Sequence, residues 1–190
     1  GVSDLSWGMK EVHANGQKVL LVASSGGIFS IEKGNAKLVE NGKLHSFNFC
    51  ESKFYPNIIY VGIQNGIGIV STVSGKLKYV GKMLDTQGDV YRIVEDSNGD
   101  IWYSCRYNGV GYIDMVNPYQ QVFEKPVLFK LPYDPKCDEM GLNIIDGNIL
   151  ASTERGLSKY VSELNGFEPD SSLGLEFANG SMGLRIFNQD

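Results

Sequence analysis

The sequence is poor in the residues that build metal centres and disulfide frameworks. Among 190 residues there are two histidines, His13 and His45, and neither has a partner at the spacing of a metal site. The three cysteines, Cys50, Cys105 and Cys137, lie 55 and 32 residues apart and form no CxxC pair. We interpret them as buried or half-exposed thiols, because an odd and widely spaced set does not specify a disulfide framework. No metal and no cofactor is expected.

Three further absences limit the partners and the fold. The 17 lysines and arginines are scattered, without a basic stripe that could follow a phosphate backbone, so nucleic acid is not expected as a partner. No apolar run approaches the length of about 18 residues that spans a bilayer, so this segment is not expected to insert into a membrane. No window keeps the apolar stripe of an amphipathic helix, so helices are not expected to build the core.

Glycine and aromatic residues, by contrast, are abundant. The chain has 23 glycines, ten tyrosines and nine phenylalanines. Glycine supplies positive φ in tight turns, and aromatic side chains pack well on pleated faces. This composition predicts an all-β protein of many short strands.

A repeated segment defines the architecture. Each copy has a β-rich run, a polar step ending in glycine, and a second run: VLLVASSGGIFSIE (19–32), IIYVGIQNGIGIVS (58–71), IWYSCRYNGVGYID (101–114) and NILASTERGLSKYV (148–161). The intervals between the aligned glycines at 27, 66, 109 and 156 are 39, 43 and 47 residues. This period is close to that of a propeller blade, about 40–45 residues. The repeat therefore predicts β-propeller blades of four antiparallel strands.

The predicted blades fill most of the chain. Their approximate bounds are 8–40, 44–81, 89–130 and 139–168, with 173–187 as part of a further blade. Asn15-Gly16 forms the first hairpin turn, and 121–129 forms the outer strand of the third blade. A blade leaves one sheet face uncovered until a neighbour stacks on it. Four to four and a half blades make either a small closed ring or, as we expect, a fragment of a larger propeller that pairs with other blades or with itself.

Core positions follow from the alternation within the predicted strands. Side chains at every second position are expected to be covered by a neighbouring blade. The predicted core residues are Trp102, Tyr91, Ile93, Ile59, Val61, Leu20, Val22, Ile28, Phe29 and Tyr112.

The third unit resembles the two-component regulator propeller repeat. It carries the pair Glu95-Asp96, the turn Asn98-Gly99, the pair Ile101-Trp102, a Gly-rich step and a strand with Tyr112. The other units match in part, since leucine or isoleucine replaces the tryptophan. Proteins of this family are typically periplasmic sensor halves of hybrid histidine kinases, and they sense glycan-derived ligands. The resemblance implies a non-catalytic sensor module, located in the periplasm or outside the cell.

The step between the second and third strands of each unit carries the candidate binding residues. In a propeller this step lies on one face of the disc, near the central channel. Its side chains can donate, accept and stack, which suits an oligosaccharide, whereas a solvated loop is the alternative for any single residue. The candidates are Gln64, Asn65, Arg106, Tyr107, Asn108, Glu154 and Arg155.

Other functions have weaker support in the sequence. The acidic segment 96–100 does not match a calcium loop, because Ile101 and Tyr107 would occupy its sixth and twelfth positions. We interpret it as a hairpin turn in which Asp96 accepts backbone N–H bonds, and we interpret the neighbouring acids Glu95 and Asp96 as solvated. No catalytic residues are predicted. The alternatives are a protein-protein interaction scaffold of a secreted or surface protein, and a propeller glycosidase or lyase.

Overall fold

A computed structural model describes residues 5–14, 16–40, 44–132 and 140–184. The first sheet contains β1 (Ser6–Ala14), β2 (Gln17–Ser24), β3 (Gly27–Glu32) and β4 (Asn35–Glu40). The second contains β5 (Ser46–Glu51), β6 (Ile58–Ile63), β7 (Gly66–Ser71) and β8 (Lys78–Lys82). In both, each strand pairs antiparallel with the next in the chain.

The third sheet begins with β9 (Val90–Glu95), β10 (Ile101–Cys105) and β11 (Gly109–Ile113). A separate hairpin of β12 (Met115–Asn117) and β13 (Val122–Phe123) follows, and β14 (Val127–Phe129) completes the sheet. The fourth contains β15 (Gly141–Ile145), β16 (Asn148–Thr153), β17 (Gly156–Val161) and β18 (Gly166–Pro169). The predicted all-β fold of four-stranded antiparallel blades is confirmed.

Consecutive sheets pack face to face through three apolar clusters. One cluster lies between the first and second sheets, one between the second and third, and one between the third and fourth. Their central side chains are Leu21, Ile69 and Trp102, respectively, and each is at most 4% exposed. Among the described residues no such cluster joins the fourth sheet to the first, so the blades form an open arc.

The innermost strands β1, β5, β9 and β15 lie next to one another along this arc. Each is the edge strand of its sheet, so one side of its backbone is not paired within the sheet. These unpaired edges surround the axis of the arc, as in a propeller.

Asp96 organises the hairpin between β9 and β10. Its Oδ1 accepts the N–H groups of Asn98 at 2.8 Å and Asp100 at 3.1 Å, and its Oδ2 accepts the indole N–H of Trp102 at 2.9 Å. Gly99 completes the turn at φ +88°. The predicted role of Asp96 in this turn is confirmed, but the carboxylate is a structural acceptor and not a solvated acid.

Trp102 joins the third and fourth blades. Its ring lies 4.7 Å from that of Tyr112 and 5.9 Å from that of Phe129 in its own sheet. It also lies 4.6 Å from Tyr160 and 6.3 Å from Phe167 in the fourth sheet. Burial of this aromatic cluster supplies much of the contact between the two blades.

The outer face of the first blade is apolar and partly uncovered. Met9, Leu20 and Leu38 are 67%, 37% and 46% exposed. The register places Met9 beside Val22, Val22 beside Phe29, and Phe29 beside Leu38, so these side chains form a row across the sheet. No described blade covers this face. The prediction that Leu20 and Phe29 are core residues is therefore wrong for Leu20, and Phe29 is only half-buried.

The other core predictions fall into two groups. The side chains of Trp102, Ile93, Ile59, Val61, Val22 and Ile28 are buried as predicted. Tyr91 and Tyr112 are half-buried. The hydroxyl of Tyr112 reaches the Asp100 carboxylate at 2.9 Å, which keeps that end of the ring in a polar environment.

Two connections differ from the sequence prediction. Residues 121–129 form an outer strand only at β14, because Asn117 caps a 3-10 turn over Pro118–Gln120 and Gln121 adopts a left-handed conformation at φ 56°. Within 173–184 the structure has helix α1 (Leu175–Ala178), where part of a further blade is expected from the sequence, and no strand. Asn15, Cys137, Glu139 and residues 185–187 lie outside the described residues.

Candidate functional site

The turns between the second and third strands lie together at one end of the blades, which we call the turn edge. It comprises residues 25–26, 64–65, 106–108 and 154–155. Asn65 and Tyr107 occupy left-handed conformations at φ 64° and 63°, which tight turns of this kind require. The side chains of Gln64, Asn65 and Tyr107 are exposed, whereas Arg106 is half-buried.

Asp89 connects the turns of the second and third blades. Its carboxylate accepts the Asn65 N–H at 3.2 Å, and its backbone carbonyl accepts the Arg106 N–H at 3.0 Å. The side-chain oxygen of Asn65 in turn accepts the Gly88 N–H at 3.4 Å. The structure thus brings Asn65 and the segment 106–108 to one place, on either side of residues 87–89.

Arg106 and Tyr107 form one unit on this edge. The guanidinium carbon of Arg106 lies 4.9 Å from the centre of the Tyr107 ring, which is a cation-π arrangement. Tyr107 remains half exposed, at 50%. The pair places a guanidinium and an aromatic ring side by side at the turn edge.

Glu154 and Arg155 occupy the equivalent turn of the fourth blade. The Arg155 N–H donates to Thr153 Oγ1 at 3.1 Å, and Leu184 donates to the Thr153 carbonyl at 3.0 Å. Both side chains are exposed. They share the turn edge with Arg106, and the backbone of this turn is bonded to Leu184.

A pocket on the axis of the arc was not predicted from the sequence. Its volume is about 330 Å³, and it is lined by all four innermost strands, β1, β5, β9 and β15; we call it the channel pocket. Three cations and two carboxylates line it, together with apolar side chains. The charged lining residues are Lys10, Lys53, Arg92, Glu51 and Glu95.

Glu95 links the second and third blades at the wall of this pocket. Its carboxylate accepts a hydrogen bond from the hydroxyl of Ser52, and the N–H of Lys53 donates to it at 2.5 Å. Glu95 is half-buried, so it is less solvated than expected, and it also joins two blades.

Each of the first three innermost strands contains a bulge filled by an aromatic residue. The register skips Trp7 in β1, Phe47 in β5 and Tyr91 in β9, immediately before Gly8, Asn48 and Arg92. The three rings form a row, with centres 6.1 Å apart between Trp7 and Phe47 and 4.5 Å apart between Phe47 and Tyr91. Because a bulge redirects the following side chains, this row sets how Asn48 and Arg92 enter the channel pocket.

Burial keeps the two described thiols in their neutral form. Burial, with a smaller contribution from Glu95, raises the pKa of Cys50 to about 12. Burial, followed by Asp89, likewise raises the pKa of Cys105 to about 12, and its thiol donates to the Gln87 carbonyl at 3.1 Å. Both are therefore thiols and not thiolates at neutral pH, which is unsuited to nucleophilic catalysis.

Within the described residues, no group of three histidine, cysteine or acidic side chains has the geometry of a metal site. Both histidines are exposed. His13 lies near the end of β1 remote from the turn edge, whereas His45 precedes β5 at the turn edge, where its carbonyl accepts the Gln64 N–H at 2.8 Å. Across the ranges 5–14, 16–40, 44–132 and 140–184, no helix has the length and apolar character needed to span a bilayer.

Solved structures similar to this chain are propellers much longer than it. The extracellular domain of a proposed one-component system from B. thetaiotaomicron has a TM-score of 0.67 and 17% identity, covering 88% of this chain and 22% of that one. The extracellular domain of a proposed hybrid two-component system from the same organism has a TM-score of 0.55 and 15% identity, covering 84% and 23%.

An enzyme is also among the similar structures. A catalytically inactive histidine-to-alanine variant of virginiamycin B lyase from Staphylococcus aureus, with quinupristin, has a TM-score of 0.58 and 16% identity, covering 83% of this chain and 53% of that one. The sequence itself matches no protein-family model and no curated protein. At these identities the likeness shows the propeller fold, and the chain corresponds to a fragment of each larger structure.

Proposed function

We propose that this chain is a ligand-sensing propeller module of a regulatory protein of the one- or two-component type, located in the periplasm or outside the cell. The observation that carries the proposal is its likeness to the extracellular domains of two such systems. The family resemblance of the third repeat supports the same function. The ligand is glycan-derived, and this segment binds it without transforming it.

The turn edge supplies groups suited to a sugar. Arg106 and Asn108 offer N–H donors, Asn65 offers an amide, and Tyr107 offers a ring on which a sugar can stack. Sugars present hydroxyl groups around an apolar ring face, so they need this mixture of donors, acceptors and aromatic surface. Asp89 holds two of these turns in a fixed relation, which reduces the entropy lost on binding.

A panel of oligosaccharides tested by isothermal titration calorimetry examines this proposal. The expected result is binding to at least one glycan, weakened about tenfold in Arg106→Ala and in Tyr107→Ala, since loss of a hydrogen-bonded or stacked group costs about 1.4 kcal/mol or more. Lys37→Ala is the control, because Lys37 pairs with Glu32 on the outer part of the first blade. The proposal is wrong if no glycan in the panel binds.

A propeller lyase is the second candidate, because one of the similar structures is such an enzyme. The inactive form of that lyase has lost a histidine, whereas the two histidines of this chain lie toward opposite ends of the innermost strands. We expect quinupristin to be unchanged, as measured by mass spectrometry, after incubation with this protein. Its cleavage would overturn the non-catalytic proposal.

The uncovered face of the first blade fits a module that continues into further blades. We propose that another blade of the parent propeller covers Met9, Leu20 and Leu38, and that the isolated chain self-associates through this face. Light scattering should show a molar mass that rises with concentration, and Leu38→Lys should reduce the rise. A concentration-independent monomer would contradict the proposal, as would equal association of the variant.

A further inference from the structure

Asn48 and Arg92 occupy equivalent positions in successive blades. Asn48 pairs with Gly62 and Arg92 pairs with Ser104, each one residue before the end of the second strand of its blade. Each follows an aromatic bulge residue, and both line the channel pocket. The repeat therefore places two polar side chains at the same depth of the pocket, on adjacent innermost strands.

Neither group is satisfied within the described part of the chain. The Oδ1 atom of Asn48 is buried and accepts no hydrogen bond there. Arg92 is half-buried and has no carboxylate within ion-pair distance in that part of the chain. The buried acceptor gains free energy from a partner because it has lost contact with water, and the half-buried guanidinium gains from an anion because part of its side chain is already shielded.

The two groups require complementary ligand atoms. An amide oxygen needs a hydroxyl or N–H donor, whereas a guanidinium presents planar donors that match the two oxygens of a carboxylate. On another wall of the pocket, the half-buried Ile144 offers apolar surface. A compound with a carboxylate, several hydroxyl groups and an apolar C–H face satisfies all three.

The charges around the pocket favour a ligand with a single negative charge, because its three cations, Lys10, Lys53 and Arg92, exceed its two carboxylates by one. Glu51 and Glu95 also line the pocket, so a sulfated or multiply phosphorylated ligand would meet like charges at short range. The volume of about 330 Å³ is at the small end of the usual range for ligand pockets, which favours one or two sugar rings over a long chain.

We propose that the channel pocket binds an acidic sugar of the hexuronic acid class, with the carboxylate on Arg92 and a ring hydroxyl on the side-chain amide of Asn48. This inference rests on the proposed sensing function and names the ligand class. It also places the acidic part of the ligand on the axis of the blades, while the turn edge remains the site for any neutral sugars attached to it.

Calorimetry with D-galacturonate and D-galactose tests the inference in the full chain. The wild-type protein should bind galacturonate at least tenfold more tightly than galactose, and the preference should shrink as sodium chloride is raised. Arg92→Gln keeps most of the side-chain length but removes the charge, and it should remove the preference. Asn48→Ala should weaken both sugars, since it removes the side-chain amide that binds the hydroxyl. Lys37→Gln is the matched charge-removal control, and circular dichroism checks that each variant folds.

The outcomes separate this inference from the proposed function. If galacturonate and galactose bind equally, or if Arg92→Gln keeps the preference, the acidic-sugar inference is wrong while sensing of another glycan stands. If Arg106→Ala removes galacturonate binding and Arg92→Gln does not, the carboxylate lies at the turn edge and the inference is again wrong. If neither these sugars nor the wider panel binds, the proposed sensing function fails as well.

Discussion

The hydrogen bond between Trp102 and Asp96 gives the most quantitative test of how the blades are held together. Trp102 is 4% exposed, lies against rings of both the third and the fourth blade, and donates its indole N–H to Asp96 at 2.9 Å. Trp102→Ala should destabilise the protein by about 3–5 kcal/mol, the usual cost of removing a large buried aromatic side chain.

Two smaller changes isolate the hydrogen bond. Trp102→Phe keeps a ring in the aromatic cluster but removes the donor. Asp96→Asn keeps one oxygen for the N–H groups of Asn98 and Asp100, but it turns an amide N–H toward the indole N–H. Each change should cost about 1–3 kcal/mol, since a hydrogen bond to a charged group contributes about 1.5–3 kcal/mol and Asp96 is only partly buried.

A double-mutant cycle determines the coupling energy between Trp102 and Asp96. Each variant is unfolded in urea, and unfolding is detected by far-ultraviolet circular dichroism. The expected interaction energy between Trp102→Phe and Asp96→Asn is about 1–2 kcal/mol, because both variants remove the same bond. Coupling below about 0.3 kcal/mol would refute the assignment of Asp96 as a structural acceptor for Trp102. Lys37→Ala combined with Asp96→Asn is the control pair and should be additive.

Two further predictions concern blade packing and pH. Gly62→Ala should destabilise the protein by about 1–3 kcal/mol or more, because a Cβ there would lie 2.2 Å from the Val90 carbonyl oxygen of the next blade. Gly147→Ala is the control: the space around Gly147 is open and its φ is +76°, so this change should cost only about 1 kcal/mol. Equal costs for the two variants in thermal unfolding would contradict the close contact at Gly62. Burial raises the pKa of Cys50 and of Cys105, so both thiols are harder to ionise in the folded protein than in the unfolded chain. The stability that the neutral thiols contribute is therefore complete below the thiol pKa of the unfolded chain, about 8.5, and is lost as the pH rises toward about 12. Melting temperatures measured from pH 8 to 10 should fall, and less steeply in Cys105→Ala; an identical slope would oppose this explanation.

Strand order and most strand bounds could be predicted from the sequence, because each blade carries its own turn signals. The step ending in glycine recurs in every blade, and Asp96 with Asn98-Gly99 marks the hairpin of the third. These are local signals, which depend on backbone conformation within a few residues.

The channel pocket could not be predicted in the same way. Its walls come from four strands more than thirty residues apart in the chain, and the equivalence of Asn48 and Arg92 depends on bulges that the alternation pattern does not reveal. One local pattern does mark the pocket: an aromatic residue precedes the pocket-lining position in each of the first three blades, at Trp7, Phe47 and Tyr91. The prediction that Leu20 is buried was wrong for a related reason. Whether its side chain is covered depends on a neighbouring blade and not on the alternation within its own strand.

The separate positions of the two tryptophans provide an optical readout. Trp7 is 56% exposed at one end of the aromatic row, whereas Trp102 is enclosed between the third and fourth blades. Since the chain has two tryptophans, its emission is the sum of a red-shifted, quencher-accessible component from the first blade and a blue-shifted, protected component from the far side of the arc. A blade that covers the first sheet would change the former alone, and separation of the third and fourth blades would change the latter alone.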